Sequence, residues 1–111
     1  MPFGTIEQAL DDLKAGKFIV VADDEDRENE GDLVGAAEFI TADKVNFMMQ
    51  AKGMICLALA PARVQQLALP LMGPENTEAM RTAYTVTVDA AARFGVTTGI
   101  SAADQAATIR V

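Results

Sequence analysis

Between Asp23 and Asp32 the sequence reads DDEDRENEGD, so that Asp23, Asp24, Glu25, Asp26, Glu28, Glu30 and Asp32 crowd around one cation, Arg27. Carboxylates packed this densely repel one another, which predicts upward pKa shifts unless a cation is bound. A hard divalent ion relieves the repulsion, because Mg²⁺ takes oxygen ligands and keeps waters and substrate oxygens in its shell. Arg27 adds a planar fork matched to a carboxylate or a phosphate. A cation, or a substrate bridged by one, is the ligand this set suits. A solvated surface loop has the same composition, and the run by itself leaves both readings open. An EF-hand is excluded, since a calcium loop starting at Asp24 needs glycine where Asn29 stands and glutamate where Gly35 stands.

Histidine is absent, which removes the usual neutral-pH base and the usual zinc ligand. Chemistry within these residues falls to carboxylates or to the single thiol, Cys56. A lone cysteine in an apolar run also reads as a small buried hydrophobe. In GVTTGIS, the residues Thr97, Thr98 and Ser101 bring hydroxyls to the start of a helix, an arrangement that suits an anion and that turn and cap chemistry also explains. The six methionines read as core filler.

The elements that must carry these groups follow from periodicity. Thr5 and Gln8 form a capping box for a helix over about 6–15, with Gly16 closing it. FIVVA (18–22) is an apolar run of the kind covered on both faces, and the acidic segment starts directly after it, at a strand end where ligands are commonly held. LVGAAEF (33–39) predicts a second strand, and Thr41 caps a second helix closed by Gly53. MICLALA (54–60) predicts a third strand, and Pro61 starts a short helix. Residues 69–81 read as an irregular connection, and TAYTVTVDA (82–90) as a further strand. Ser101 then caps a last helix with Asp104 at its third position. Interleaved strands and helices predict an α/β or α+β fold, a mixed sheet covered by helices.

Half of the 111 residues are apolar, enough for one domain with a real core. A formal charge of −7 argues against nucleic acid or an anionic membrane as partner. One cysteine excludes an internal disulfide, no leader pattern opens the chain, and MICLALAPA is too short to span a bilayer. The expectation is a cytoplasmic protein. The sequence stops at ATIRV inside a helical pattern without C-cap glycine, proline or polar tail, which predicts a domain that continues past Val111.

The string DDEDRENEGDL resembles the hallmark segment of the 3,4-dihydroxy-2-butanone 4-phosphate synthases of riboflavin biosynthesis. GMICLAL around Cys56, ENTEA around Asn76 and Thr77, TAYTVTVDA and GVTTGISAAD follow in the family's order, so the resemblance covers essentially the whole chain. It implies a three-layer sandwich of which these residues are the N-terminal half, family domains running to about twice this length, roughly 200 residues. It implies a carbon–carbon lyase that turns D-ribulose 5-phosphate into 3,4-dihydroxy-2-butanone 4-phosphate and formate, with Mg²⁺ or Mn²⁺, as a homodimer. Carried over residue by residue, it implies substrate contacts at Arg27, Glu28, Asp32 and Thr98, a metal ligand at Glu28, and catalytic parts for Glu30 and Cys56. A metal against the enediol oxygens would ease proton removal by a neighbouring carboxylate.

Four departures from the family pattern stand out. The RxGHT segment, with the family's metal-binding histidine and phosphate-binding arginine and threonine, has no counterpart in these residues, nor has a later glutamate. Gln105 replaces the arginine of the usual ADR, and Ala107 stands where threonine is common. They predict little or no synthase activity for the 111 residues alone. The alternative reading is a non-catalytic metal-binding or assembly module that keeps the fold. A half-domain also predicts exposed apolar surface and self-association.

Overall fold

The computed structural model describes residues 3–111. Thr5 opens helix α1 (Ile6–Lys14) with the capping box its sequence predicts: Thr5 Oγ1 accepts the Gln8 N–H at 3.1 Å, and Gln8 Oε1 accepts the Thr5 N–H at 2.9 Å. Gly16, at φ +77°, then turns the chain past the helix end.

Strands β1 (Ile19–Ala22) and β2 (Gly31–Val34) pair antiparallel, with Ile19 opposite Val34 and Ala22 opposite Gly31. The acidic segment is therefore the connection of a hairpin. The second strand is shorter than its apolar run predicts, and Ala37–Phe39 forms a 3-10 turn instead. The ladder ends at Ile19, so residues after Val34 have no strand partner, and the Phe18 ring lies against Gly35 where a Cβ would come within 2.8 Å of it. Burial of FIVVA on both faces is also not what the fold does, because Val20 is 73% and Val21 47% exposed. An apolar run predicts burial only where a layer packs over it.

Helices α2 (Ala42–Gln50) and α4 (Ala102–Arg110) pack on each other and make the core. Val45 is fully buried there with Ala106 and Ile40, flanked by Met48, Ile55, Ala102 and Ile109. The caps are those predicted, with Thr41 Oγ1 accepting from Lys44 N at 3.2 Å and Ser101 Oγ from Asp104 N at 3.1 Å. Lys44 also reaches back, donating from Nζ to the Gly16 carbonyl above the Phe18 ring, which stacks on Phe47 at 5.6 Å.

Helix α3 (Pro61–Gln66) starts at its proline as predicted. The two remaining predicted strands do not form ladders. Residues 54–60 make no strand pairing, and residues 82–90 reduce to one bridge, Leu71 opposite Thr85, supported by Met72 N to Tyr84 O and Val86 N to Pro70 O at 3.0 Å each. A strand is a pairing property as much as a local one, and among the described residues neither segment has a full partner. The architecture is of the expected mixed α/β class, with helices around a small antiparallel sheet.

Candidate functional site

The acidic connection is folded around Asp23. Its base is closed by the Asp23 N–H donating to the Glu30 carbonyl at 2.8 Å. The Asp24 carbonyl accepts from Arg27 N at 3.0 Å and Asn29 N at 3.1 Å, and Asn29 takes the left-handed conformation, φ +51°, that an Asx residue tolerates. The Asp23 carboxylate accepts three bonds: from Asp24 N at 2.8 Å, Glu28 N at 3.1 Å and Arg27 Nη1 at 2.9 Å.

At Asp23 these bonds outweigh the repulsion that crowding predicts. Burial pushes its carboxyl up, but the Asp24 and Glu28 N–H groups, followed by the Arg27 hydrogen bond and charge, hold it below the usual carboxylate range. Arg27 is in turn raised, first by its bond to Asp23 and then by the Asp23, Glu28 and Glu78 charges. Asp23 is thus the organiser of the loop, a part that neither the composition of the run nor the resemblance gave it. The available signal was position: Asp23 is the first residue past β1 and lies four before Arg27.

Of the predicted site residues, the fold brings Arg27 and Glu28 together, with Arg27 Nη2 3.7 Å from Glu28 Oε1. Glu30 closes the loop base through its carbonyl and keeps its side chain exposed. Asp32 lies in β2 opposite Val21, also exposed. Cys56 is exposed, not the buried hydrophobe that an apolar run suggests, because residues 54–60 are not covered on both sides. Among the described residues no hydrogen bond or ion pair joins Cys56 or Thr98 to the acidic loop.

Glu78 belongs to a second loop, lining an open concavity of about 610 Å³ with Glu75, Asn76, Thr77, Ala79 and Arg81. Its carboxylate accepts from Thr82 N at 2.7 Å and Met80 N at 2.9 Å. The Thr82 N–H leads the effects that lower its pKa, burial opposes them, and the Arg27 charge adds to them.

Over residues 7–111 the chain matches the family model described as 3,4-dihydroxy-2-butanone 4-phosphate synthase. It belongs to this family. It is 56% identical to the riboflavin biosynthesis protein RibBA of Synechocystis over 110 residues, which are 98% of this chain and 20% of that one. It is 51% identical to a 3,4-dihydroxy-2-butanone 4-phosphate synthase of Aeromonas salmonicida, covering 98% of this chain and 50% of that one. A solved structure of a 3,4-dihydroxy-2-butanone 4-phosphate synthase in complex with two magnesium ions superposes with a TM-score of 0.92 at 45% identity, over 97% of this chain and 50% of that one. The chain thus spans half or less of the length of these relatives.

Within this synthase fold the acidic loop offers a hard cation a set of exposed carboxylates, those of Asp24, Glu25, Asp26, Glu28, Glu30 and Asp32. Among the described residues the Glu28 carboxylate is exposed and approached by Arg27 at 3.7 Å, which leaves oxygen lone pairs available. Among the described residues no three His, Cys, Asp or Glu side chains converge on one point. The donor set therefore fits an ion such as Mg²⁺, which is commonly held by one or two carboxylates with water and substrate oxygens completing its shell. It does not fit a closed, all-protein cage.

The GVTTGIS turn proves less open than its hydroxyls suggest. Thr97 and Gly99 donate their N–H groups to Asp104 Oδ2, at 3.2 and 2.9 Å, and Thr97 Oγ1 donates to the same oxygen at 2.8 Å. A carboxylate of the helix itself, Asp104, takes up these donors of the turn, so the Thr97 hydroxyl is engaged within the fold. Thr98 stays exposed.

Proposed function

We propose that this chain is the N-terminal half of a lyase domain of about 200 residues that converts D-ribulose 5-phosphate into 3,4-dihydroxy-2-butanone 4-phosphate and formate. The observation that carries the reading is the loop itself: one carboxylate, Asp23, fixes both the Arg27 guanidinium and the Glu28 backbone, in a chain that shares the family's fold. Arg27 presents a planar cation to an anionic or hydroxyl-rich substrate. Glu28 and Asp32 accept hydroxyl protons of the sugar phosphate, and Thr98 adds a neutral donor. Glu30, an exposed carboxylate at the mouth of the hairpin, is the candidate base, and the Cys56 thiol, also exposed, is reachable by substrate.

A divalent ion, Mg²⁺ or Mn²⁺, held by Glu28 would supply Lewis-acid stabilisation of the enediolate. The remaining ligands and the phosphate clamp come, in this reading, from the half of the relatives that the chain does not cover. The protein works as a homodimer in the cytoplasm. No helix among the described residues is long and apolar enough to cross a membrane.

The test is formate release from ribulose 5-phosphate by the 111-residue chain, alone and fused to the half of the Aeromonas salmonicida synthase that it does not cover. The chain alone is expected to be silent and the fusion active with Mg²⁺, and Glu28→Gln in the fusion is expected to need a higher Mg²⁺ concentration for half-maximal rate. Turnover by the chain alone would sink the half-site reading. Mg²⁺ binding by the fusion without turnover would favour a non-catalytic module.

A further inference from the structure

Asp104 is 5% exposed, a charged side chain inside the fold. A buried carboxylate is costly unless it is hydrogen-bonded, and this one is: three donors converge on its Oδ2, the Thr97 hydroxyl at 2.8 Å, the Gly99 N–H at 2.9 Å and the Thr97 N–H at 3.2 Å. Its own N–H donates to Ser101 Oγ at 3.1 Å. The Thr97 hydroxyl does most to hold the carboxyl below its usual range against burial, with the Gly99 and Thr97 N–H groups helping, so the group is ionised at neutral pH.

The three bonds to Oδ2 come from the residues on either side of Thr98 and none from Thr98 itself. The residues before and after Thr98 are pinned to one oxygen atom. Gly99 is pinned further, at φ +82°, with its Cα so close to the Asp89 carboxylate that a Cβ would overlap it. The Thr97 hydroxyl donates to Asp104 within the turn, and Ser101 Oγ accepts the Asp104 N–H. Among the described residues the Thr98 hydroxyl makes no hydrogen bond, and the residue is exposed.

We propose that Asp104 is a positioning residue, which takes up the Thr97 hydroxyl and the Thr97 and Gly99 N–H groups so that the Thr98 hydroxyl is presented, on a backbone fixed at both sides, to a polyhydroxylated phosphate substrate. The proposal rests on the assignment of Thr98 to substrate binding made above. A preset donor loses no ordering entropy when substrate arrives, so loss of the preset shows in binding more than in the chemical step.

The experiment uses the fused synthase, with formate release from ribulose 5-phosphate as assay. Thr98→Ala is expected to raise KM about tenfold, the scale of one hydrogen bond to a charged ligand group, with kcat little changed. Asp104→Ala is expected to raise KM by a similar factor. Asp104→Asn, which keeps one oxygen able to occupy the Oδ2 position, is expected to recover most of the loss. The Thr98→Ala, Asp104→Ala double variant is expected to be no worse than either single one, because both remove the same contact. Amide hydrogen exchange at Thr97 and Gly99 is expected to quicken in Asp104→Ala and not in Thr98→Ala.

If Thr98→Ala leaves KM unchanged, the substrate assignment fails and this inference fails with it. If Thr98→Ala raises KM but the effect of Asp104→Ala multiplies with it, or appears only as lower kcat and melting temperature, the assignment stands and the positioning role is overturned. Should Asp104→Ala not fold, Thr97→Val, which deletes only the 2.8 Å hydroxyl donor, takes its place under the same criteria with a smaller factor.

Discussion

Asp23 Oδ2 accepts the Arg27 Nη1 proton at 2.9 Å and the Glu28 N–H at 3.1 Å. A single carboxylate oxygen thus sets both the direction of the one cation in the acidic loop and the path of the backbone at its candidate metal ligand. Removing it lets Arg27 swing and the loop relax together. Asp23→Ala in the fused synthase is expected to lower kcat/KM by about 10²-fold, the scale of an ångström-level misplacement of a catalytic group. Asp23→Asn, which keeps an acceptor oxygen, is expected to lose less. Steady-state kinetics on the two variants decide this, and equal, near-native activity in both would refute the organising role.

The pH dependence follows from the direction of the Asp104 shift. Its carboxyl titrates lower in the folded chain than in the unfolded one, led by the Thr97 hydroxyl bond. A depressed folded pKa contributes stability that is fully present above the unfolded value, about 3.9, and is lost as pH falls through the lower folded value. The melting-temperature gap between the native chain and Asp104→Asn is therefore expected to be widest near neutrality and to close below about pH 4. Comparing the two removes the relief of self-repulsion on acidification, which a chain of charge −7 also undergoes. A gap that widens in acid contradicts the sign.

Stability should respond most where α2 meets α4. Val45 is fully buried against Ile40 and Ala106, so Val45→Ala is expected to cost ~2 kcal/mol from lost burial and a residual cavity. Gly35→Ala is expected to cost ~1–3 kcal/mol by overpacking, since its Cβ would meet the Phe18 ring at 2.8 Å while that ring is stacked on Phe47. Urea denaturation of the two variants measures both, and a native midpoint for Val45→Ala would mean that the core lies elsewhere.

Ile6, Val20, Met54 and Ile100 are each more than 70% exposed, on a chain that also carries an unpaired apolar segment at 54–60. Apolar surface on this scale associates. Sedimentation velocity on the 111-residue chain is expected to show concentration-dependent oligomers, and the fusion with the uncovered half of a relative is expected to show a narrower distribution. A sharp monomer at high concentration for the chain alone would count against this.

The sequence by itself determined the helices, their caps, the placement of the acidic run after an apolar strand, and the family. These are local properties: Thr5, Thr41 and Ser101 cap through bonds three residues long, and DDEDRENEGD is read without knowing what lies nearby. What only the tertiary structure decided depends on partners distant in sequence or on competition among neighbours. Residues 54–60 and 82–90 have the composition of strands, but a ladder needs a second strand in register, and among the described residues they lack one. Asp23 and Asp104 looked like two carboxylates among sixteen acidic residues. Folding singled them out because each gathers three donors around one carboxyl group, and where a backbone N–H points is fixed by turn geometry, not by residue type.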